Sequence, residues 1–547
     1  MTTEIPQEPD RPARRVLRRV GTAAAFVLVF VALVVPNEIG RVSLGAFVRL
    51  PVEALLGAAL LLVLPLRWGR RAATLAGVVL GVMLILTLFD LGFTTALDRP
   101  FDPVIDWPLV VSGLAVLSGS IGHVGGIAVV VGAVLLGVGV VVLMTVAIRC
   151  LSRLVVRRRG GTTRVLAVLA PVWIVCAVLG AQIVPGVPVA SGSATALAYD
   201  RAEQVRADLL DQRAFAAQIG VDAFGATPGA DLLAGLRGKD VLLSFVESYG
   251  RSAVERPDFA PQVDAVLDAG TAKLAAAGFG SRSAFLTSST AGGGSWLAHA
   301  TLLSGLWIDN QQRYDTLVAS NRLTLTSAFH RADWRTVAVM PGTTDDWPEG
   351  RFYGHDQVYD ARNLGYQGPN LGWASTPDQY TLAAFQRLER SAPGHAPVMG
   401  EMAFVSSHAP WPLIPPVLDW NAVGDGSVFA TAQTGPRDDD IFAKGTDLVR
   451  TQYRRSIEYS LSSLISYVQT YGDDNLVLVF LGDHQPAPVI AGDDAGRDVP
   501  ITIVAKDPKV LDRISGWGWQ DGLRPGPQAP VWRMDAFRDR FLTAFAK

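Results

Sequence analysis

Asp240-Val241-Leu242-Leu243-Ser244-Phe245-Val246-Glu247 is an apolar run that ends on an acid, and Asn475-Leu476-Val477-Leu478-Val479-Phe480-Leu481-Gly482-Asp483-His484 repeats the pattern. Runs of this length without polar alternation are expected of strands buried on both faces, as in parallel sheets covered by helices. Further strands at 336–340 and 398–404 alternate with helical patterns at 260–277 and 447–471. Residues 239–547 therefore read as an α/β domain with a mainly parallel central sheet. Ligands of such sheets gather beyond the carboxyl ends of the strands. Three strand ends here carry Glu247, His408 and the Asp483-His484 pair.

Glu247, Asp483 and His484 offer oxygen and nitrogen donors of the kind that hold one divalent metal, Zn²⁺ or Mn²⁺. A second stretch, Gly292-Gly293-Gly294-Ser295-Trp296-Leu297-Ala298-His299, delivers a serine onto the start of a helix. Glycines let a ligand approach the backbone, and a helix start offers unpaired N–H groups and the positive end of its dipole. Ser295 is then expected as a nucleophile and further metal ligand, its hydroxyl acidified by the ion. The plainer reading makes it an N-cap residue. Ser288, Ser289 and Thr290 are rival nucleophiles, because the glycine run could bring either flank to the metal. His299, one turn after Ser295, either orients a phosphate, serves as acid or base, or packs.

The first third is different in kind. Five apolar segments, near 19–36, 50–66, 72–95, 124–148 and 164–188, are candidate membrane spans. Arginines precede the first, separate the second from the third, and separate the fourth from the fifth, which places those connections and the N-terminus in the cytoplasm. An odd number of spans then sends everything after about Pro188 to the outside. Residues 1–188 are thus read as a transmembrane domain and 189–238 as a helical linker. Within the linker, Thr195-Ala196-Leu197-Ala198 resembles a signal-peptidase site after which the outer domain would be shed. Segment 104–121, broken by Pro108 and glycines, reads as interfacial or re-entrant. The net charge of −2 over 547 residues gives no reason to expect a nucleic-acid partner. The two cysteines, Cys150 and Cys176, both lie in the apolar third, so the outer domain has neither a disulfide framework nor a thiolate metal site. Arginine outweighs lysine, and Ala, Gly and Val abound, a bias associated with a GC-rich bacterial genome.

Together these motifs resemble the alkaline phosphatase and sulfatase superfamily, in its membrane-anchored branch of lipoteichoic acid synthases and phosphoethanolamine transferases. Ser295 to Gly305 aligns without a gap to the sulfatase signature C/S-x-P-S-R-x-x-L-L-T-G, with Ser295 at the nucleophile. Phe480-Leu481-Gly482-Asp483-His484 is similar to the branch's F-x-G-D-H, and Ser407 to Trp411 to its H-x-P-F segment. The resemblance implies a sulfatase-like extracytoplasmic domain, metal ligands Glu247, Ser295, Asp483 and His484, and catalysis by Ser295 and His408. It also implies substrate contacts from Trp347, Arg351, His299 and His408. A membrane phospholipid would donate a phosphoglycerol group to an envelope glycan, lipid or polymer hydroxyl. Phosphoethanolamine transfer, hydrolysis, and a non-catalytic lipid-binding regulator are the alternatives. Leu297 and His299 replace the proline and arginine of the sulfatase pattern, so formylglycine formation and sulfatase activity are not expected. The branch uses threonine where Ser295 stands.

Overall fold

A computed structural model describes the chain apart from residues 1–10, 37–43, 98, 104, 108, 112, 115–122, 185–186, 371–375, 412–413 and 433–444. The described chain forms two compact units, residues 1–95 with 99–210, and residues 96–98 with 211–547. Much of segment 104–121 lies outside the described residues.

In the first unit, α1 (Arg11–Val34), α2 (Val52–Val63), α3 (Leu66–Leu97), α4 (His123–Arg157) and α5 (Arg159–Val178) account for the five apolar segments. Four of them are long and apolar enough to cross a membrane; α2, at 12 residues, is not. At 1.5 Å per residue α2 spans about 18 Å against a hydrocarbon core of about 30 Å. Prolines set both its ends. Pro51 caps it in extended backbone, and Leu64 is extended because Pro65 follows. The fifth segment also differs from expectation, starting at Arg159, passing through Pro171 and stopping at Val178. Gly180 there takes φ +61°, and Gln182–Val184 turns back to pair with Val187–Pro188.

Small residues let α3 and α4 approach closely. A Cβ on Gly77 would lie 2.4 Å from the Thr145 Cα, and one on Gly81 would lie 2.8 Å from the Val141 Cα. Glycines four apart thus form one contact stripe, the close packing that associates helices in lipid. A buried polar group sits at the other end of α3. Asp90 pairs with Arg201, which also donates to the Phe101 carbonyl at 2.6 Å, while Arg99 forks onto Asp106. Arg201 lies on α6 (Ser193–Ile219), the helix expected of the linker. Glu53 accepts from the Thr195 N–H at 2.8 Å and so caps its first turn. The Thr195 to Ala198 motif is helical, and a peptidase would have to unwind it.

The second unit is built on β1 (Asp240–Val246), α7 (Ala260–Ala276), β2 (Gly280–Thr287), α8 (Ser295–Ser304), β3 (Arg335–Met340), β4 (Gln357–Asp360), β5 (Val398–Phe404), α9 (Thr446–Tyr471), β6 (Leu476–Gly482), β7 (Asp498–Ala505), β8 (Gln520–Asp521), β9 (Val531–Arg533) and α10 (Phe537–Phe545). The sheet order is β8-β2-β7-β6-β1-β5-β3-β4, with β9 also on β2. From β6 to β4 all neighbours are parallel; β7 runs antiparallel to both of its neighbours, β6 and β2. The mainly parallel sheet is as expected, and the antiparallel flank was not foreseen. β4 emerges from what reads as a loop at 342–359. Every residue of β1 and β6 is buried. Their two faces feed separate cores, Leu242, Val246 and Phe480 against α7 and α9, and Leu243, Phe245 and Val479 against α8 and α10. Beyond the sheet's β8 and β9 edge, Trp517, Trp519 and Trp532 cluster edge-on or tilted to one another with ring centroids 5.1 to 5.3 Å apart.

Gly482, the last residue of β6, is a point where no side chain fits. A Cβ there would fall 1.9 Å from the Tyr249 carbonyl oxygen. Replacement Gly482→Ala is expected to destabilise this unit by about 1–3 kcal/mol. A thermal unfolding series on the full chain checks it, and an unchanged transition would contradict this packing.

Candidate active site and metal centre

β1 and β6 are adjacent and parallel, in the register Val246 to Gly482, so the residues after them emerge side by side. Glu247 follows one strand and Asp483-His484 the other. Ligand atoms of these three residues all lie within 4.8 Å of one another, and all three residues are buried. Ser295 comes to the same place from α8. Its Oγ is 3.0 Å from Glu247 Oε2, to which it donates, and 3.2 Å from His484 Nε2. Gly292, Gly293 and Gly294 take φ of +72°, +159° and +79°, so the turn that presents Ser295 requires glycine at its first and third positions. Ser295 is the first helical residue and Gly294 the N-cap, so Ser295 does not cap its own helix.

Two of the rival hydroxyls are engaged in other hydrogen bonds. Ser288 donates to the Asp483 carbonyl and Ser289 bonds Thr301. The Thr290 hydroxyl is buried with no partner among the described residues, and its methyl lies under the position a Gly294 Cβ would take.

Neighbouring groups fix each ligand. Asp483 Oδ1 accepts from the Ser248 N–H at 2.8 Å and from the His484 N–H at 2.7 Å. Ser248 reaches it through a left-handed φ of +56°, a strained conformation for a residue with a side chain. Ser248 Oγ donates to Glu247 Oε1, and Tyr453 holds the Ser248 carbonyl. His484 Nδ1 faces the Gln485 carbonyl at 2.8 Å, so that nitrogen carries the proton and Nε2 turns its lone pair to the site. This donor set fits one divalent cation.

The electrostatics agree with that chemistry. Burial would raise the Glu247 carboxyl, but the charges of His484 and His408 hold it down to about 2. Burial and the Glu247 charge push Asp483 up to about 6. Burial alone would lower His484; the two carboxylates raise it instead. A divalent cation held by these residues would take the place of the proton that the carboxylates draw onto the imidazole.

His408 joins this group. Its loop is pinned by Ser407, whose hydroxyl donates to the Glu247 carbonyl at 2.6 Å, and by Trp411, which donates to the Ser407 carbonyl. His408 Nδ1 faces the Ala409 carbonyl at 2.6 Å. Trp347 and Arg351 are placed otherwise. Trp347 packs on Tyr353 and His355, and Arg351 is exposed, lining a groove of about 580 Å³ with Val318, Asn321 and Phe352. Among the described residues no hydrogen bond or ion pair joins Arg351 to Glu247, Asp483 or His484.

Two residues escaped the sequence reading. Glu401, an acid inside the buried strand β5, stands between His299 and His355. Its Oε1 is 3.5 Å from His299 Nδ1 and its Oε2 is 3.3 Å from His355 Nε2. His299 also stacks on Phe245 with centroids 3.6 Å apart. Burial would raise the Glu401 carboxyl, yet the two imidazoles hold it down to about 2. His299 thus lies between the Glu401 carboxylate and the Phe245 ring. The signal was present in Val398-Met399-Gly400-Glu401-Met402-Ala403-Phe404, where one charge interrupts an apolar strand.

No protein-family model matches the sequence, and no curated protein matches it. Solved structures are similar at low identity. The lipoteichoic acid synthase LtaP from Listeria monocytogenes is 16% identical, over 61% of this chain and 78% of that one, with a TM-score of 0.37. The Streptococcus pyogenes phosphoglycerol transferase GacH is 12% identical over 61% and 90%, with a TM-score of 0.35. The integral membrane lipooligosaccharide phosphoethanolamine transferase A from Neisseria meningitidis is 11% identical over 97% and 95%, with a TM-score of 0.46.

Glu401 supplies a pH test. Its carboxyl is depressed from 4.5 to about 2, so its contribution to stability is complete above about pH 4.5 and is lost as pH falls toward 2. Glu401→Gln is expected to be less stable than wild type at neutral pH, with the two unfolding curves converging only as pH falls to about 2. Parallel curves across the acid range would refute the ionised pairing.

Proposed function

We propose that the chain is a metal-dependent phosphotransferase that moves a phosphoglycerol-type group from a membrane phospholipid to an envelope hydroxyl, through a covalent intermediate on Ser295. One observation carries the reading, the Ser295 hydroxyl at 3.0 Å from Glu247 and 3.2 Å from His484 on the first turn of α8. An ordinary structural serine has no reason to sit among two buried carboxylates and an imidazole at a helix N-terminus.

Glu247, Asp483 and His484 hold the metal with Ser295. The ion, Mn²⁺ or Zn²⁺, supplies Lewis acidity that favours the serine alkoxide and offsets charge on the phosphoryl oxygens. In the first step Ser295 Oγ forms a bond to phosphorus while the bond from phosphorus to the diacylglycerol oxygen breaks. His408, with Nδ1 engaged by the Ala409 carbonyl, donates from Nε2 the proton that completes the departing hydroxyl. The α8 N-terminus and His299 favour the phosphate oxygens. In the second step an acceptor hydroxyl attacks phosphorus, its proton passes to His408, and Ser295 leaves, a ping-pong sequence. Phosphoglycerol is preferred over phosphoethanolamine because Phe480 to His484 resembles the F-x-G-D-H motif of the lipoteichoic acid synthases. Trp347 and Arg351 are assigned to the headgroup on the same resemblance.

The arginine distribution over five apolar segments favours an extracytoplasmic second unit on a multi-pass protein of the bacterial cell membrane. The short α2 is the segment on which that parity depends.

Purified full-length protein with Mn²⁺ or Zn²⁺ and mixed phosphatidylglycerol and phosphatidylethanolamine tests the reading by lipid mass spectrometry. Diacylglycerol is expected from wild type, and the consumed lipid names the group. Ser295→Ala is expected to lose at least about a thousandfold in rate, and chelation to abolish turnover reversibly. Full activity in Ser295→Ala would sink the mechanism; no lipid consumed under either metal would favour a lipid-binding regulator.

A further inference from the structure

At one end of the first unit, α3 begins beside the end of α4, and the two flank an open cavity of about 500 Å³ whose arginines are exposed. Arg70 on α3 and Arg149, Arg153 and Arg157 on α4 line it, with the Ser152 hydroxyl. The α4 arginines recur every four residues, the spacing that stacks side chains on one helix face, where like charges repel. The dipole at the C-terminus of α4 accounts for Arg157. It does not account for Arg70, which stands near the positive end of a 32-residue helix.

Among the described residues no carboxylate pairs with these guanidinium groups. No aspartate or glutamate occurs between residues 54 and 89 or between 107 and 199. Among the described residues none of the four arginines forms an ion pair. Four forked donors and a helix N-terminus converge on one space, a donor set matched to phosphate oxygens. The remaining wall is apolar, from Leu61, Leu64, Leu66 and Val156. A free phosphate would leave that wall wetted, whereas a phospholipid covers it with its glycerol and the start of its acyl chains.

We propose that this cavity binds the phosphodiester headgroup of an anionic membrane phospholipid. The site is independent of the transfer chemistry and stands whether or not that reading holds. The headgroup bridges α3 and α4 by neutralising the charges that would otherwise push their ends apart.

Native mass spectrometry of the full-length protein tests it with phosphatidylserine, which is neither of the suggested donors, against phosphatidylcholine and against inorganic phosphate. Wild type is expected to retain about one phosphatidylserine per chain at least tenfold more strongly than phosphatidylcholine, with millimolar phosphate failing to displace it. The double variant Arg149→Gln/Arg153→Gln should lose that preference. Should it fail to fold, Arg149→Lys/Arg153→Lys keeps the charge without the fork and should weaken retention several-fold. Equal retention of the two lipids by wild type, displacement by phosphate alone, or undiminished phosphatidylserine binding in the folded variants would overturn the proposal.

Discussion

Two carboxylates brought together out of water are the constraint on which the second unit depends. Glu247 and Asp483 emerge from adjacent parallel strands with ligand atoms within 4.8 Å of each other. In an effective dielectric of 20, two such charges repel by about 3 kcal/mol. The surroundings read as a response to that cost. Two backbone N–H groups point at Asp483, one from a residue forced into left-handed backbone, and His484 and His408 supply opposing charge to Glu247. Strand order, the Ser248 turn and the docking of the Ser406 to Trp411 loop all serve the same few cubic ångströms. A fold that only needed a core would place valine at both strand ends.

That logic also explains what was legible in advance. An unbroken apolar run ending on an acid is improbable as packing, so Glu247 and Asp483-His484 stood out, and the glycine run marked Ser295. Strands β2 and β7 did not stand out. β2 opens with Gly280, Ser281, Arg282 and Ser283, and β7 carries Pro500, which weighs against a strand inside a sheet. Their pairing is decided by neighbours far along the chain rather than by local pattern. Glu401 was missed for another reason. Its partners His299 and His355 lie on separate elements, and only the folded chain shows that one carboxylate serves both.

In the first unit, hydropathy identified the apolar segments but not their ends. Proline and glycine chemistry set those ends, at Pro51, Pro65 and Gly180. The glycine stripe of α3 was likewise invisible as a contact until α4 lay against it. Polar residues in this unit collect at its two ends, the Asp90 and Arg201 group at one and the cavity arginines at the other. Among the described residues the first is paired with carboxylates and the second is not.

The three clustered indoles of Trp517, Trp519 and Trp532 have a consequence of another sort. Their transition dipoles are close enough to couple, and a fixed chiral arrangement of coupled chromophores gives an intense near-ultraviolet circular dichroism band. The cluster stands at the edge where β8 and β9 meet β2, the flank with the shortest strands. The protein therefore contains an intrinsic optical reporter of that edge, readable without a label, whose signal would vanish when the flank frays even while the parallel half of the sheet persists.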